Sequence, residues 1–597
     1  MAEKRALSDF IREKKAEIVF WAFAVVMLLA GLGTAGLWAS EDRWAEITRE
    51  MLLSKDFLHP AINGEVYFDK PLLSYWLIAI AAAVLRHLDE FTIRLPGAIS
   101  ALFGLYGTIY LGRKLWSKET GMAAGWILLS CYGFLFWGRT AAADMENLTA
   151  VILAVAWFFA RVDKPGFFSY LVFYLICFLG AMTKGLPAVG IPLIAILPYL
   201  LTENRWKQHL KVSNFVALAV GLLIFLIPLQ LAKFLPMPEY YSLPAEKLTG
   251  LELVWRENII RFFKPFDHDD EPFFCYVYQL PRVLLPWSLV FVAALAAALS
   301  CWKKLKPETK WLLQAIALIF CCFSASGSRR WYYILPLMPF CAILTALFLC
   351  SDWQVQWRKW VILLMKWIIM IAAVLDLLCI AALPFWEKAS GFAPPMGFLL
   401  AAPLLGIAAL AVFGAGRRSP EGIVRLTGVP AQSAGMLMAG AIIVGGFFAF
   451  QLPSLDQYRT EKPFSLELKT KMSGISPENV GFFQKVPPKV VYYTELQRPA
   501  RMIADVDELK KFLAEAKGPK LLVGYSRDKD IEPLRQCLPA EIIDNPVLKE
   551  KYVPREKRDS KKLCAWIINK QGIEIRSQES GVRSQNNTED SRQKLKP

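Results

Sequence analysis

The sequence lacks several patterns that mark soluble enzymes and nucleic-acid-binding proteins. It has no Cys-x-x-Cys pair with metal-ligand spacing, and nine of its 11 cysteines lie in or beside apolar segments, where cysteine acts as a small hydrophobe. It has no glycine-rich nucleotide loop. It also has no basic stripe with interleaved aromatic residues, although its formal net charge is +16. These absences argue against a cysteine metal centre, a nucleotide cofactor and a nucleic-acid partner.

What the sequence has in excess is apolar length. Its hydrophobic fraction of 55% and mean hydropathy of +0.36 are too high for a soluble protein of 597 residues. Apolar runs of roughly 17 to 25 residues recur through the first three quarters, and each is long enough to cross a bilayer. Lysine and arginine gather at the ends of these runs, as the positive-inside rule requires. The class is therefore a mainly α polytopic membrane protein.

Charge at the run ends sets the predicted topology. Basic residues precede the first run, from about Ile18 to Trp38, which we interpret as a retained helix with a cytoplasmic N terminus. The run from Leu72 to Leu88 is predicted to be partly embedded and to return to the outer face, because a full crossing would place Arg113 and Lys114 outside. The later spans are then predicted at about 93–116, 120–138, 146–161, 166–183, 185–202, 213–235, 280–301, 310–325, 331–350, 360–386, 394–416 and 432–452. This gives about thirteen helices and places the C-terminal region outside.

Residues 1–454 form the predicted membrane domain, and the composition changes after Leu455 to that of a small soluble module. Residues 455–570 are predicted to be a compact extracytoplasmic α/β domain, and 571–597 a disordered tail. If the domain is outside the cytoplasm, Cys537 and Cys564 could form a disulfide. The predicted secondary structure comprises the strands Val480–Phe483, Val490–Tyr493, Leu521–Gly524 and Cys564–Ile568 and the helix Val506–Ala516.

Two polar segments are predicted on the outer face, a catalytic loop at 39–92 and a second loop at 236–279. The first packs many charged residues between apolar runs, and charge beside a membrane is costly enough to indicate function. Other ionisable residues at run ends share this face under the predicted topology. They are Asp144, Glu146, Lys184, His268, Arg329 and Arg330. Any one of them alone could equally be an interface anchor or a structural ion pair.

A family resemblance rests on motifs spread in order over roughly residues 15 to 450. They are SEDRWAEITREM, NGEVYFDKPLLSYW, EFTIRLP, Asp144, the TKG at 183–185, RFFKPFDHDDEPFFCYVYQLPRVLLPW and YILPLMP. This pattern resembles the lipid-linked-sugar glycosyltransferases of the aminoarabinose transferase (ArnT) and protein mannosyltransferase class. The resemblance implies a C-type glycosyltransferase fold, with the active site at the extracytoplasmic face of a membrane domain. In the ArnT-like branch an extracytoplasmic α/β domain follows this membrane domain in the sequence.

The resemblance also implies a polyprenyl-phosphate sugar donor, undecaprenyl phosphate in a bacterial host. Lys70 and Tyr67 match family residues that contact the donor phosphate, and Tyr333 matches a tyrosine that helps to close the site. Arg43 and Lys184 are further candidates for binding the phosphate, and Asp144 and Arg330 are other candidate site residues. A hydrophobic groove that ends in fixed cations suits such a donor. The YFDKP segment alone could also be a proline-terminated interfacial turn.

The acid/base position departs from the family pattern, which reads Asp-Glu-x-Arg. Strict register places Ser40 in the catalytic aspartate position, and a lone serine is a poor base. We expect Asp42 and Glu41 jointly to supply the carboxylate, unless the acceptor is already an anion or the enzyme is inactive. Ser40 followed by acidic residues is also a good helix start signal, and both interpretations can hold together.

A divalent metal is a further expectation from the resemblance. Asp69 matches a family acidic residue, and His268, beside Asp267, Asp269 and Asp270, matches part of a ligand-bearing loop. One histidine with several carboxylates suits Zn, Mg or Mn. A histidine among aspartates can equally be a solvated loop.

The predicted function is transfer of a sugar, with inversion, from a polyprenyl-phosphate donor to a cell-envelope acceptor such as lipid A. The sugar is aminoarabinose-like or another pentose or hexose. Lipid or glycolipid acceptors and membrane lipids are the expected partners, with no nucleic acid. A protein O-mannosyltransferase is one alternative, and a flippase of lipid-linked sugars is another, although transport usually calls for repeated halves, which the sequence does not show. The expected location is the bacterial inner membrane, with the active site and C-terminal domain periplasmic.

Overall fold

The structure is a computed structural model of the chain. It describes residues 2–68, 70–242, 252, 255–264, 271–350, 353, 355–382, 385, 396–454, 461–497, 499–515, 518–550 and 562–569. Side chains are described from residue 14 onward, apart from those of residues 382, 396 and 528.

The membrane part is a bundle of helices that buries one continuous apolar core. Its α-helices are α1 (Ala2–Leu29), α2 (Glu41–Ser54), α3 (Leu73–Leu85), α4 (Glu90–Leu115), α5 (Lys118–Leu129), α6 (Tyr132–Gly138), α7 (Asp144–Arg161), α8 (Phe167–Lys184), α9 (Pro187–Thr202), α10 (Val212–Phe234), α11 (Arg261–Phe263), α12 (Cys275–Val283), α13 (Ser288–Ser300), α14 (Pro307–Ala325), α15 (Met338–Cys350), α16 (Arg358–Leu377), α17 (Met396–Arg418), α18 (Pro420–Thr427), α19 (Ala431–Gly446) and α20 (Leu452–Ser454). A π-helical turn, Trp255–Ile260, precedes α11.

The helices confirm a multi-pass membrane architecture. Among the described residues, seven helices are long and apolar enough to cross a bilayer. Two bent pairs, α5 with α6 at 68° and α12 with α13 at 117°, raise the number to nine if each pair is one span. Several predicted spans, including 185–202 and 331–350, correspond to shorter helices. The predicted total of thirteen spans therefore stays a prediction.

Helix α3 is too short to cross a membrane by itself. It has 13 residues, about 20 Å of helix, whereas the hydrocarbon core is about 30 Å thick. This length agrees with the partly embedded helix that the charge pattern favoured. The helix ends at Arg86, which adopts the left-handed conformation with φ of 64°.

The first helix ends earlier than predicted, at Leu29 rather than near Trp38, because the chain turns at Gly31 with φ of 64°. Two buried arginines satisfy the carbonyls that this ending leaves open. Arg139 donates to the carbonyls of residues 27, 28 and 30, and Arg94 donates to those of residues 32, 35 and 36. A helix end buried without such donors would be costly.

The C-terminal module is a five-stranded sheet with helices around it. Its elements are α21 (Lys462–Met472), β3 (Val480–Phe483), α22 (Pro488–Thr494), β4 (Arg501–Ile503), α23 (Val506–Ala514), β5 (Lys520–Tyr525), α24 (Asp528–Arg535), α25 (Ala540–Asp544), β6 (Leu548–Lys549) and β7 (Leu563–Ile568). A two-stranded hairpin, β1 (Ala61–Ile62) with β2 (Glu65–Val66), lies in the first loop. The larger sheet has the order β4-β3-β5-β7-β6, with β3 parallel to β4 and β5 and with β7 antiparallel to its neighbours.

The sheet packs apolar side chains on both faces. Phe482 and Val523 belong to one buried cluster, whereas Leu522 and Trp566 belong to the other. These residues alternate along their strands, as the period-two geometry of a strand requires. A small α/β fold with its own core therefore follows the membrane helices.

The prediction of a strand at Val490–Tyr493 is wrong, because these residues form helix α22. Valine and tyrosine favour strands, but Pro488 stands at the first helical position, where its fixed φ favours a helix start. Val490 and Val491 are buried on the sheet. Tertiary packing has overridden local propensity here.

The suggested disulfide is not present, since no S–S bond joins Cys537 to Cys564. Cys564 is buried in β7, and the Cys537 sulfur lies 3.9 Å from the Val506 carbonyl oxygen. Both belong to the core on one face of the sheet.

The C-terminal module docks on the first loop through polar contacts. Arg49 of α2 donates to the Leu496 carbonyl at 2.7 Å, and Asn63 donates to the Ala500 carbonyl at 2.9 Å. Glu90, at the start of α4, pairs with Lys462 and accepts a hydrogen bond from the Tyr493 hydroxyl. The domain therefore lies directly over the loop that the sequence predicts to be catalytic.

Candidate active site

Helix α2 carries the displaced acidic motif. Ser40 occupies the N-cap position but makes no side-chain capping hydrogen bond, so the predicted serine cap is not formed. Glu41, the first residue of the helix, instead accepts a hydrogen bond from the Trp38 amide, which precedes the N-cap, at 2.9 Å. Two acidic residues in the first turn also suit the positive end of the helix dipole.

Glu41 is buried in an ion pair. Arg94 donates from Nε to Glu41 Oε1 at 2.8 Å and from Nη2 to Oε2 at 2.7 Å. The Ala141 amide adds a hydrogen bond at 2.8 Å, and only 1% of Glu41 is exposed. With four donors on its two oxygens, Glu41 ties α2 to α4 and to the start of α7.

Asp42 has a different environment from its neighbour. It is half-buried at the junction with the C-terminal module, where the charges of Lys489 and Glu461 act on it. Burial raises the pKa of Asp42 above its ordinary value, and the positive charge of Lys489 partly offsets that rise. Lys489 itself donates to Glu461 at 2.9 Å.

Arg43 and Tyr67 contact each other. Arg43 Nη1 donates to the Tyr67 hydroxyl at 2.8 Å, with the guanidinium 6.0 Å from the centre of the tyrosine ring. Neither residue lines the cavity that lies between α8, α9 and α14. The pair connects α2 to the segment that ends at Lys70.

A cavity of about 270 Å³ opens between α8, α9, the π-helical turn and α14. Three cations line it, namely Lys70, Lys184 and Arg261. The rest of its wall is mostly apolar and includes Leu186, Ile191, Ile194, Phe262 and Phe323. A site with a cationic end and an oily wall suits an amphiphile that carries a phosphate.

Each cation of this cavity is near a carboxylate. Lys184 pairs with Asp144 at the start of α7. Glu257 serves the other two cations, with its Oε2 2.6 Å from Arg261 Nη1 and 3.9 Å from Lys70 Nζ. The charges of Lys70 and Arg261 also act on Lys184. Among the described residues, Asp144 and Glu257 are the carboxylates that pair with these three cations.

Aromatic residues close one side of the cationic cluster. The ammonium of Lys184 lies 4.6 Å from the centre of the Tyr333 ring, and Tyr333 lines the cavity. Tyr332 is next to it, with its ring centre 5.5 Å from Lys184 Nζ and its hydroxyl accepting from Arg330 Nη1 at 2.9 Å. Arg330 reaches the site through Tyr332 and does not line the cavity itself.

Gly185 makes the turn that places Lys184 at the end of α8. Its φ of 122° is in the region that favours glycine, and a Cβ there would lie 2.4 Å from Asn258 Oδ1. Asn258 uses this oxygen to accept a hydrogen bond from the Leu186 amide at 2.8 Å. The Thr-Lys-Gly motif is thus a close contact between α8 and the second polar loop.

The predicted metal ligands Asp69 and His268 lie outside the described residues. Within the part of the chain that the structure describes, no group of three histidine, cysteine, aspartate or glutamate side chains could hold a metal ion. The metal stays a prediction.

The structure brings some predicted site residues together and separates others. Lys70, Lys184 and Tyr333 line one cavity, and Asp144 is paired with Lys184. Glu41 and Asp42 are adjacent in sequence but face different partners. Sequence reasoning missed Arg261, Arg94 and Lys489. Arg94 and Arg261 both lie in motifs of the family resemblance, beside apolar segments where a charged residue indicates function. Nothing in the sequence around Lys489 marks it as a site residue.

Comparison with known proteins gives the same architecture. Residues 69–230 match the family model of dolichyl-phosphate-mannose-protein mannosyltransferases. The undecaprenyl phosphate-alpha-4-amino-4-deoxy-L-arabinose arabinosyl transferase of Enterobacter sp. (strain 638) is 28% identical over 55% of this chain and 58% of its own length. The relative of the same name from Pseudomonas savastanoi pv. phaseolicola is 30% identical over 56% of this chain and 61% of its own length. The matches to these two relatives thus span about three fifths of their length.

The match to a solved structure extends over nearly the whole chain. The crystal structure of ArnT from Cupriavidus metallidurans bound to undecaprenyl phosphate aligns with a TM-score of 0.67 and 17% identity. The alignment covers 92% of this chain and 97% of that one, so it extends beyond the membrane helices. The resemblance predicted from the sequence is therefore confirmed at the level of architecture, and this chain has the C-type membrane fold of ArnT.

Proposed function

We propose that the protein is an integral-membrane glycosyltransferase that uses an undecaprenyl-phosphate sugar as its donor. It transfers the sugar, with inversion at the anomeric carbon, to a cell-envelope acceptor such as lipid A. The single observation that carries the proposal is the cavity in which Lys70, Lys184 and Arg261 meet a mostly apolar wall.

The donor phosphate binds at the cationic end of this cavity. Glu257 pairs with both Lys70 and Arg261 in the structure. A bound phosphate can therefore form ion pairs with these two cations while Glu257 stays beside them. Tyr333 stands over Lys184 and bounds the site. The apolar wall takes the first isoprene units of the donor, which keeps its chain in the bilayer.

Asp42 is the proposed base, and Glu41 supports the site without touching the acceptor. Glu41 already accepts four hydrogen bonds, including two from Arg94. Asp42 is half-buried, and burial raises its pKa, which strengthens it as a proton acceptor once it is ionised. The proposed base thus lies two residues after Ser40, which occupies the position of the family aspartate.

We propose the following reaction. An acceptor oxygen attacks the anomeric carbon as Asp42 takes its proton, and the bond from that carbon to the phosphate oxygen breaks. The departing lipid phosphate gains negative charge, which Lys70, Lys184 and Arg261 stabilise. Tyr67 orients Arg43 beside the same segment.

The sugar and the acceptor are drawn from the relatives. Relatives that match over half of this chain are named aminoarabinose transferases, which favours a 4-amino-4-deoxy-arabinose donor. The mannosyltransferase family model that matches residues 69–230 favours a protein hydroxyl acceptor instead, and this is the second candidate. The proposed location is the bacterial inner membrane, with the N terminus cytoplasmic and both the cavity and the C-terminal module periplasmic. Asp69 and His268 remain the proposed ligands of a divalent metal.

The decisive experiment is a transfer assay with the purified full-length protein in nanodiscs. The donors are radiolabelled undecaprenyl-phosphate sugars, and the acceptors are lipid A and a periplasmic protein extract in separate arms. Wild type is compared with Lys70→Ala and with a matched control, Lys303→Ala, an exposed lysine outside the cavity. Label in lipid A with wild type and the control, but not with Lys70→Ala, is the expected result.

Two other results would contradict the proposal. Label in protein rather than in lipid A would transfer the assignment to the mannosyltransferase alternative. Donor binding that depends on Lys70, with no label moved to any acceptor but with donor crossing the bilayer, would favour the flippase.

A further inference from the structure

A second basic site lies between α16, α17 and α19, at the opposite ends of these helices from the C-terminal module. Two neighbouring cavities, of about 780 Å³ and 140 Å³, open beside the start of α16, the end of α17 and the start of α19. Both are lined by Leu363, Lys366 and Gln432. Because the start of α16 carries Arg358 and Lys359 and the end of α17 carries Arg417, the positive-inside rule assigns this face to the cytoplasm.

Lys366 is the unusual residue of this site. It lies eight residues after Arg358, the first residue of α16, which is about 12 Å along the helix axis, and it is half-buried. The charge that acts on it is the positive charge of Arg417 from α17. In the described part of the chain, no carboxylate lines either cavity and Lys366 has no ion pair.

Two cations facing each other at this depth are unfavourable without an anion between them. Lysine in a membrane helix usually pairs with a carboxylate or extends its stem to the headgroup region. Extension alone does not account for Lys366, because Arg358 and Lys359 line one of its two cavities and Arg417 lines the other. An anion in the cavity would relieve the repulsion.

The walls indicate what kind of anion fits. Beside the basic groups the cavities are lined by apolar side chains, including Ile362, Trp367 and Phe413. Trp360 and Trp367 are exposed on α16, where the helix faces lipid. Tryptophan prefers the headgroup level of a bilayer. Basic pockets between membrane helices on the cytoplasmic side recognise phospholipid headgroups.

We propose that this cleft binds the phosphate headgroup of an anionic phospholipid, held between Lys366 and Arg417 with Gln432 as a further hydrogen-bond donor. The lipid's acyl chains lie along the exposed faces of α16 and α17. The site is separate from the donor cavity and does not depend on the transfer reaction.

Native mass spectrometry of the full-length, delipidated protein tests this site. The probes are phosphatidylglycerol, phosphatidylcholine with the same acyl chains, and inorganic phosphate. The variants are Lys366→Gln and Arg417→Gln, with Arg418→Gln as a matched control because it removes the same charge one residue outside the cavity lining. Lys366→Arg keeps the charge and tests whether charge itself is required. A melting curve for each variant shows that it is folded.

Wild type is expected to retain phosphatidylglycerol at least tenfold more tightly than phosphatidylcholine. Lys366→Gln and Arg417→Gln should each weaken phosphatidylglycerol binding fivefold or more, while Lys366→Arg and Arg418→Gln stay within twofold of wild type. Equal binding of the two lipids, or an equal loss in Arg417→Gln and Arg418→Gln, would overturn the proposal. Displacement of phosphatidylglycerol by millimolar inorganic phosphate would assign the cleft to a free anion and overturn the lipid assignment.

Discussion

The two basic sites of this protein differ in whether carboxylates lie beside their cations. In the proposed donor cavity the cations have carboxylate neighbours, with Asp144 on Lys184 and Glu257 on Lys70 and Arg261. In the cleft at the far end of α16, no carboxylate in the described part of the chain lines the cavities that hold Lys366 and Arg417. Both are bounded largely by apolar side chains.

We relate this difference in carboxylate neighbours to how long each site has to hold its anion. A catalytic site must bind donor phosphate and release product phosphate, so its cations need internal partners when it is empty. A site that holds a structural lipid has no empty state to stabilise, so carboxylates there would only compete with the ligand.

The largest effect is expected from loss of a donor-cavity cation. Lys70→Ala or Lys184→Ala should lower kcat/KM for transfer by about 10²–10³, because a charge that stabilises the leaving phosphate is removed. The transfer assay measures this, with Arg418→Gln as the basic-to-neutral control. A loss in Arg418→Gln as large as that in Lys70→Ala would remove the distinction between the two ends of the molecule.

Asp42 and Glu41 should separate activity from stability. Asp42→Asn is expected to lower kcat by about 10²–10⁴, the usual contribution of general acid–base catalysis, with little change in melting temperature. In wild type, kcat/KM should rise with pH through a pKa above the ordinary aspartate range, since burial raises the pKa of Asp42 and the ionised form is the base. This acid limb should be absent in Asp42→Asn.

Glu41→Gln is the matched change beside it and should act on stability instead. It leaves the buried Arg94 without a charged partner, and breaking a buried ion pair costs about 3–5 kcal/mol. The melting temperature of Glu41→Gln should therefore fall well below that of Asp42→Asn. A normal melting temperature with lost activity would instead make Glu41 the base.

Asp144→Asn tests the role of the internal carboxylate directly. Without Asp144, Lys184 should hold phosphate more tightly, so the Kd for undecaprenyl phosphate should fall several-fold while kcat falls through slower product release. Tryptophan fluorescence titration and product-inhibition kinetics measure the two quantities. Weaker binding in Asp144→Asn would show that the carboxylate orients Lys184 and does not compete with phosphate.

The smallest effect concerns the junction of α2 with the hairpin below the C-terminal module. Burial and the nearby Glu46 raise the pKa of Glu50 to about 7, from an ordinary value of 4.5. A carboxyl whose pKa is raised on folding stabilises the fold fully below its unfolded pKa and loses that contribution as pH rises through its folded pKa. The melting temperature should therefore decline between about pH 4.5 and 7, and Glu50→Gln should flatten the decline. An unchanged slope in Glu50→Gln would assign the pH dependence to another group.

Several features of the fold and the site were predictable from local sequence because their signals are local. Apolar run lengths indicated a polytopic membrane protein, and motif order indicated the ArnT-like architecture, which the structural comparison confirmed. Lys70, Lys184 and Tyr333 were predicted from matched motifs, and the structure places all three on one cavity. The strand at Val490–Tyr493 was mispredicted, because propensity cannot outweigh a helix start at Pro488 and burial against a distant sheet.

The sequence by itself determined the class, the approximate spans and the polar segments, since bilayer thickness and the cost of exposed backbone act on consecutive residues. Only the tertiary structure decided which charges meet. It turned Glu41 towards Arg94, 53 positions away, and left Asp42 facing Lys489 from the last domain. It also set Lys366 against Arg417 across two helices. Electrostatic interactions depend on distance in space and on burial, and neither is encoded by spacing along the chain.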